Sequence, residues 1–194
     1  MESRVKNMKH PGQLVCRQRG VGILEVLIAL IVVSFGVLGL ASLQLTGMKH
    51  SSSGYNRSMA VMFVENLATR MRTNEAGVDA NAYAGFDSDT LNCGTQPAPY
   101  CQAAPGGTAA QACSAAEMAA FDLFSIACGN WSSSGAAEDG ATNSLNTGRL
   151  QVACDDTPCT PTSNYTLTVT WNEGRTTDNS EDTDLKTVQV RFRP

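Results

Sequence analysis

The sequence predicts an α+β fold in which one long N-terminal helix, apolar first and amphipathic after, packs on a small antiparallel sheet. Three observations carry that expectation. Residues 26–45 (VLIALIVVSFGVLGLASLQL) hold no charge. Tyr55, Met59, Met62, Phe63, Leu67 and Met71 then recur at three- and four-residue intervals, and the last third of the chain holds two runs of strict apolar–polar alternation. A chain of 194 residues suits one domain with an appendage. Only 16% of its residues are charged, against ~25% in a typical soluble chain. The charges are also segregated. Residues 1–20 carry five Lys or Arg and one acid, a net +4, whereas the remainder carries nine against seventeen, a net −8. An acidic body excludes a nucleic-acid partner, which needs a basic surface to displace counterions. With only His10 and His50, most imidazole-based catalysis and metal binding is excluded as well.

As a helix, residues 26–45 span ~30 Å, the hydrocarbon thickness of a bilayer. A buried strand would not run for twenty residues without a turn signal. Arg4, Lys6, Lys9, Arg17 and Arg19 precede the segment and only Lys49 follows closely, so the positive-inside rule places the N-terminus in the cytoplasm and the body across the membrane. Three readings fit such a segment. A static anchor keeps Met1, and a secretory signal is cut after the small residues of Gly39-Leu40-Ala41. The third accounts for Gly20 and for Glu25, an acid embedded among Val21–Leu24 and Val26–Leu45. A charge at the bilayer centre costs ~2.5–3.5 kcal/mol, less near the edge. Snorkelling to the cytoplasmic boundary is the structural explanation of Glu25; an intramembrane ionisable residue is otherwise a functional candidate.

The amphipathic continuation covers residues 46–74. Its apolar stripe, from Tyr55 to Met71, is expected to face the core, with Arg57, Glu65, Arg70 and Arg72 off it. Ser51-Ser52-Ser53-Gly54 is a candidate bend; a continuous helix from 26 to 73 would measure about 70 Å. Residues 74–112 lack a sustained period and read as a long excursion. Ser114-Ala115-Ala116-Glu117 is a capping box opening a second helix with Met118, Phe121, Leu123, Phe124 and Ile126, ended near Cys128-Gly129. Residues 130–148 are small and polar and read as a loop. Residues 149–153 form a short strand. Tyr165, Leu167, Val169 and Trp171 alternate with Thr166, Thr168 and Thr170, and Val188, Val190 and Phe192 alternate with Thr187, Gln189, Arg191 and Arg193. Residues 172–184 join these two strands through a loop too long for a tight turn. Within it Asp178, Asn179, Glu181, Asp182 and Asp184 are hard-cation ligand types. The segment lacks the glycine and terminal glutamate of an EF-hand loop and reads as a solvated tip rather than a calcium site.

Seven cysteines stand at 16, 93, 101, 113, 128, 154 and 159. A cut after Gly20 removes Cys16 and leaves an even number in the exported part, as expected of a disulfide framework in an oxidising compartment. A cut after Ala41 gives the same parity. Six cysteines allow fifteen pairings; the shortest loops join Cys93 to Cys101, Cys113 to Cys128 and Cys154 to Cys159. With no C-x-x-C spacing and no nearby histidine, zinc is excluded. No cofactor is expected.

The stretch Arg17-Gln18-Arg19-Gly20-Val21-Gly22-Ile23-Leu24-Glu25-Val26-Leu27 resembles the leader and cleavage site of type IV prepilins. The resemblance implies that residues 1–20 are a leader, that a prepilin peptidase cuts after Gly20, and that Val21 is then N-methylated. It implies that Glu25 neutralises the terminal amine of a neighbouring subunit; a buried carboxylate and a buried ammonium are each costly alone and tolerable as a pair. Val21 departs from the Phe that most pilins carry there, a departure shared by minor members. Further likeness lies in Gly36-Val37-Leu38-Gly39-Leu40-Ala41-Ser42-Leu43-Gln44, Tyr55-Asn56-Arg57-Ser58, Ala68-Thr69-Arg70-Met71-Arg72-Thr73-Asn74 and Ala119-Ala120-Phe121-Asp122-Leu123. These resemble the type IV pilus modification protein PilV family of minor pilins. The implied architecture is pilin-like: residues 21–45 as transmembrane and filament-core helix, 46–74 as its continuation, and 75–194 as a disulfide-stapled periplasmic domain containing Cys93, Cys101, Cys113, Cys128, Cys154 and Cys159. The implied partners are the prepilin peptidase, other minor pilins, the major pilin, a large tip adhesin, and inner-membrane lipid before assembly. The implied role is priming of pilus assembly at the tip, with twitching motility and adhesion as consequences.

Two rivals remain: a minor pseudopilin of type II secretion, which shares leader, rod and sheet, and a periplasmic binding domain on a plain anchor. Catalysis is not expected, because His50 adjoins the membrane segment, the serines lie outside any G-x-S-x-G elbow, and the cysteines are better used as bridges.

Overall fold

The computed structural model describes residues 20–103, 109–132, 135–160, 162–173 and 184–194. Residues 1–19, with Cys16 and most of the expected leader, and the acidic segment up to residue 183 lie outside them. The chain divides into two compact units, Met1–Met48 and Lys49–Pro194.

In the first unit every described side chain is exposed. Helix α1 (Ile23–Thr73) opens there, the Gly22 carbonyl accepting from the Glu25 and Val26 amides at 3.0 and 3.3 Å. By length and composition α1 can cross a membrane, none of its most apolar window being buried by the chain itself. Two hydroxyls of its first half are tied to the backbone. Ser34 donates to the Leu30 carbonyl at 2.7 Å and Thr46 to the Ser42 carbonyl at 3.0 Å, which satisfies those two protons within the helix. Helical structure continues through Ser51–Gly54, where the sequence predicted a possible bend, and Ser58 donates back to the Gly54 carbonyl at 2.9 Å.

In the second unit α1 buries Ala60, Phe63, Val64, Leu67, Ala68 and Met71, a stripe at helical spacing. This corrects the expected face at one edge: Met59 is partly buried, but Tyr55 and Met62 are 63% and 50% exposed. The residues buried in addition to the expected ones are Ala60, Val64 and Ala68. Within the stretch 74–112, expected to be irregular, α2 (Glu75–Asp79) and a 3₁₀ turn (Ser88–Thr90) form. Each starts from a side-chain cap, Asn74 accepting from the Gly77 amide and Asp87 from the Asp89 amide. Helix α3 (Ala115–Ala127) has the predicted capping box. The Ser114 hydroxyl accepts from the Glu117 amide at 3.3 Å while the Glu117 carboxylate accepts from the Ser114 amide at 2.8 Å. The Ser114 amide, and then the Ser114 hydroxyl donating at 2.8 Å, hold the Glu117 carboxyl below its ordinary range.

The expected loop 130–148 contains a small hairpin, β1 (Gly129–Trp131) with β2 (Ala137–Asp139), followed by one turn of helix, α4 (Ala141–Ser144). Gly129 permits it: φ is +95°, and a Cβ there would stand 1.7 Å from the Glu138 carbonyl oxygen. Three strands complete the fold, β3 (Arg149–Cys154), β4 (Tyr165–Asn172) and β5 (Leu185–Phe192), all antiparallel in the order β3-β4-β5. Leu150 and Val152 of β3 face Val169 and Leu167 of β4, which face Val188 and Val190 of β5. This inner row, with Tyr165, Trp171 and Phe192, joins the buried stripe of α1 and the apolar side of α3 in one core. The architecture is the α+β, pilin-like one expected from the sequence.

All six cysteines among the described residues are bridged, but two of the three shortest-loop pairings are corrected. Cys93 joins Cys128, Cys101 joins Cys113, and Cys154 joins Cys159. Cys128 caps α3 and is buried in the core, so its partner must come from the segment packed there, which carries Cys93. Cys101 and Cys113 close the excursion around Tyr100, whose amide donates to Gln111 Oε1 at 3.1 Å and whose ring stacks edge-on against Phe121 at 5.0 Å.

Candidate functional site

The sequence-predicted processing and assembly residues lie together at the start of α1. Gly20 and Val21 are exposed and precede the first helical residue, Ile23. The Gly20–Val21 peptide bond therefore lies outside the helix. Glu25 stands in the first helical turn, where a carboxylate is favoured by the positive end of the helix dipole. Its side chain is exposed and bonds to no other described group. It is the sole charge between Val21 and Met48. Among the described residues, no group of three or more His, Cys, Asp or Glu is placed to hold a metal ion.

A second constellation, absent from the sequence reading, lies where α1 ends. Asp122 of α3 is buried and accepts twice, from Arg70 Nη1 at 3.0 Å and from the Tyr83 hydroxyl at 2.7 Å. Tyr83 in turn accepts from Asn74 Nδ2 at 3.0 Å, and the same Asn74 amide donates to the Ala115 carbonyl at 2.8 Å. Asn74 Oδ1 caps α2. One asparagine thus joins the end of α1, the start of α2 and the start of α3. Gly77 leaves room for this, since a Cβ would stand 2.5 Å from Asn74 Nδ2 and 2.9 Å from the Ala115 oxygen. Burial, and then donation to Asp122, push the Tyr83 hydroxyl far above the ordinary tyrosine range. Every member is saturated by another, so the arrangement locks chain segments together and offers no free acid, base or nucleophile.

A third cluster ties the 3₁₀ turn at Ser88–Thr90 to the first strand of the sheet. Asp87 accepts from Arg149 through both guanidinium branches, with Nε at 2.9 Å, and from Gln151 Nε2 at 3.0 Å. Arg149 holds the Asp87 carboxyl well below the usual range, and the Asp89 amide adds to this. Arg149 also meets Asp89 at 2.9 Å.

Both clusters join residues far apart in sequence, such as Arg70 with Asp122 and Asp87 with Arg149, and periodicity carries no signal for them. No curated protein and no solved structure matches the chain. Residues 42–124, which run along α1 to the apolar side of α3 and include Arg70, Asn74, Tyr83 and Asp122, match the family model described as Tt1218-like, type IV pilin Tt1218.

Proposed function

We propose that this chain is a minor pilin of a type IV pilus. It is made with a leader, residues 1–20, cut by a prepilin peptidase between Gly20 and Val21, after which Val21 is N-methylated. Residues 21–45 anchor the subunit in the inner membrane with the N-terminus cytoplasmic and the disulfide-stapled domain, residues 75–194, in the periplasm. The same helix then leaves lipid to pack among other subunits, exchanging one apolar environment for another. Glu25 meets the terminal amine of a neighbouring subunit during that transfer. Together with other minor pilins the chain primes assembly of the major pilin and forms the tip complex, which can carry a large adhesin and supports twitching motility.

The observation that carries this reading is a helix of 51 residues whose first half is exposed, apolar and charged only at Glu25, in a chain similar to a type IV pilin over residues 42–124. A plain anchor gains nothing from that acid, whose insertion costs up to ~3 kcal/mol.

Two measurements test the reading. Intact-mass and N-terminal analysis of the exported protein should find methylated Val21; an N-terminus at Ser42 or a retained Met1 would refute it. Glu25→Ala should leave the protein processed and membrane-bound but deplete it from sheared filaments by about tenfold or more, the effect of losing one buried ion pair of a few kcal/mol. Undiminished incorporation would refute the role of Glu25. A deletion strain that loses exoprotein secretion rather than twitching would assign the chain to type II secretion instead.

A further inference from the structure

We propose that Lys49, His50, Ser53 and Arg57 of α1 form a binding face for the headgroup phosphate of an anionic phospholipid, on the side of the membrane that holds the second unit. This rests on the reading of residues 21–45 as a membrane span. Lys49, Ser53 and Arg57 follow one another at four-residue spacing, and His50 adjoins Lys49. On an α-helix all four fall within an arc of about 100°. Lys49, His50 and Arg57 are exposed and Ser53 is partly so. Met48 and Tyr55, also exposed, stand outside that arc, so these turns are cationic on one side and apolar on another.

Their charge is uncompensated. No acid lies between Glu25 and Glu65, although residues 21–194 carry seventeen acids against nine Lys or Arg. Elsewhere in the second unit Arg70, Arg149, Lys186 and Arg191 meet carboxylates, and Arg72 lies over the Phe192 ring at 4.8 Å. Lys49, His50 and Arg57 have no ion pair among the described residues. Cations directly after a span also oppose the orientation that the basic leader sets. An anionic partner on that side of the membrane offsets this cost.

Position selects the partner. Lys49 and His50 come ~6–8 Å after residue 45 along the helix, the depth of the polar layer of roughly 5–7 Å that flanks the hydrocarbon core. Helical side chains lean toward the N-terminus, here toward the lipid. Lys49 supplies charge, and the His50 ring supplies an N–H donor in either protonation state. Ser34, Thr46 and Ser58 donate to carbonyls four residues back, whereas Ser53 makes no hydrogen bond among the described residues, which leaves its hydroxyl proton for a phosphate oxygen. A Cβ at the neighbouring Gly54 would meet no atom within 4 Å, so the face is open. Arg57 lies ~12 Å beyond Lys49; leaning back, it acts on the headgroup layer from about one Debye length, ~8 Å. Farther along, the same side of α1 is buried at Ala60, Val64 and Leu67. The open strip thus falls between the covered part of the helix and the span, where the surface at hand is that of the bilayer.

The test uses the full chain, disulfides intact, in dodecyl maltoside micelles. The probe is dihexanoylphosphatidylglycerol; dihexanoylphosphatidylcholine and inorganic phosphate are the controls. Backbone amide signals of residues 49–57 should shift saturably, at a concentration about fivefold or more lower with phosphatidylglycerol than with either control. The Arg193 Nε signal, from an exposed cation with no ion pair among the described residues, should not follow. Lys49→Gln should weaken the response about fivefold, the effect of ~1 kcal/mol for one cation at a lipid surface. The proposal is overturned by no preference over phosphatidylcholine, by an equal response to inorganic phosphate, by an equal shift at Arg193, or by an undiminished response in Lys49→Gln. Shifts that grow with protein concentration without added lipid overturn it too, and assign the face to a second copy. Flotation with phosphatidylcholine vesicles tests the span separately. A chain that floats but shows no headgroup preference keeps its span and loses this site; a chain that does not float loses both.

Discussion

Replacing Asp122 by alanine should destabilise the second unit by ~1.5–3 kcal/mol, and the geometry says where that figure comes from. The carboxylate takes one hydrogen bond from Tyr83 at 2.7 Å and one from Arg70 at 3.0 Å. In Asp122→Ala the hydroxyl of fully buried Tyr83 keeps Asn74 as a donor but loses the acceptor of its own proton, a loss of ~1–2 kcal/mol. The Arg70 side chain is 28% exposed and can turn toward water, so its share is ~0.5–1 kcal/mol. Asp122→Asn, which keeps a carbonyl oxygen for Tyr83, should cost about half as much. Urea unfolding of the full chain with disulfides intact measures these values, and a double-mutant cycle with Tyr83→Phe isolates the pair. The coupling should be ~1–2 kcal/mol. If Asp122→Ala costs under ~0.5 kcal/mol, or if the two substitutions add without coupling, the network does not lock the end of α1 and the reasoning fails.

Two other predictions concern acid and reduction. Because Arg149 and the Asp89 amide depress the folded Asp87 carboxyl below its unfolded value of ~3.9, its stabilisation is fully present above about pH 4 and is lost as pH falls toward the folded value. Unfolding midpoints at pH 6 and pH 3 should therefore differ less for Asp87→Asn than for the parent. The bridges should differ in strength by loop size: serine replacement of Cys93 with Cys128, which close 35 residues, should cost about 4 kcal/mol, against about 2 kcal/mol for Cys154 with Cys159, which close 5. Peptide mapping without reduction checks the pairing first, and a fragment joining Cys93 to Cys101 would contradict it.

Much of the fold was legible because its signals are local. The capping box at Ser114 and Glu117 needs only one turn of chain, and strands β4 and β5 declare themselves by alternation with a period of two. The exposed apolar segment with Glu25 was legible for the same reason. The face of α1 was legible only in part, since Tyr55 and Met62 fit the helical period as well as Phe63 and Leu67 do. Which flank of a broad stripe is covered depends on what packs there, and the small residues Ala60 and Ala68 proved to be inside. The hairpin at 129–139 escaped notice because it rests on backbone conformations with positive φ, at Gly129, Gly135 and Asp139, within a polar sequence resembling a loop.

The disulfides failed for a reason that can be given a size. Preferring the shortest loops assumes that closure entropy decides the pairing, yet that cost grows only by ~0.6 kcal/mol for each doubling of loop length. Closing Cys93 to Cys128, across 35 residues, rather than to Cys101 is a difference of about two doublings, or ~1.3 kcal/mol. Burying the C-cap of α3 beside the Cys93 segment removes large apolar side chains such as Phe124 and Ile126 from water, each gaining ~1.5–3 kcal/mol. Packing therefore outweighs loop length wherever a cysteine sits in the core, as Cys128 does. The short-loop rule succeeds only at Cys154, the last residue of β3, and Cys159, in the turn that follows it, both partly exposed and with little packing to compete. The same inequality explains why Asp122 went unread. Its partners Arg70 and Tyr83 lie 52 and 39 residues away, brought to it by the burial of α1 and α3 rather than by any pattern along the chain.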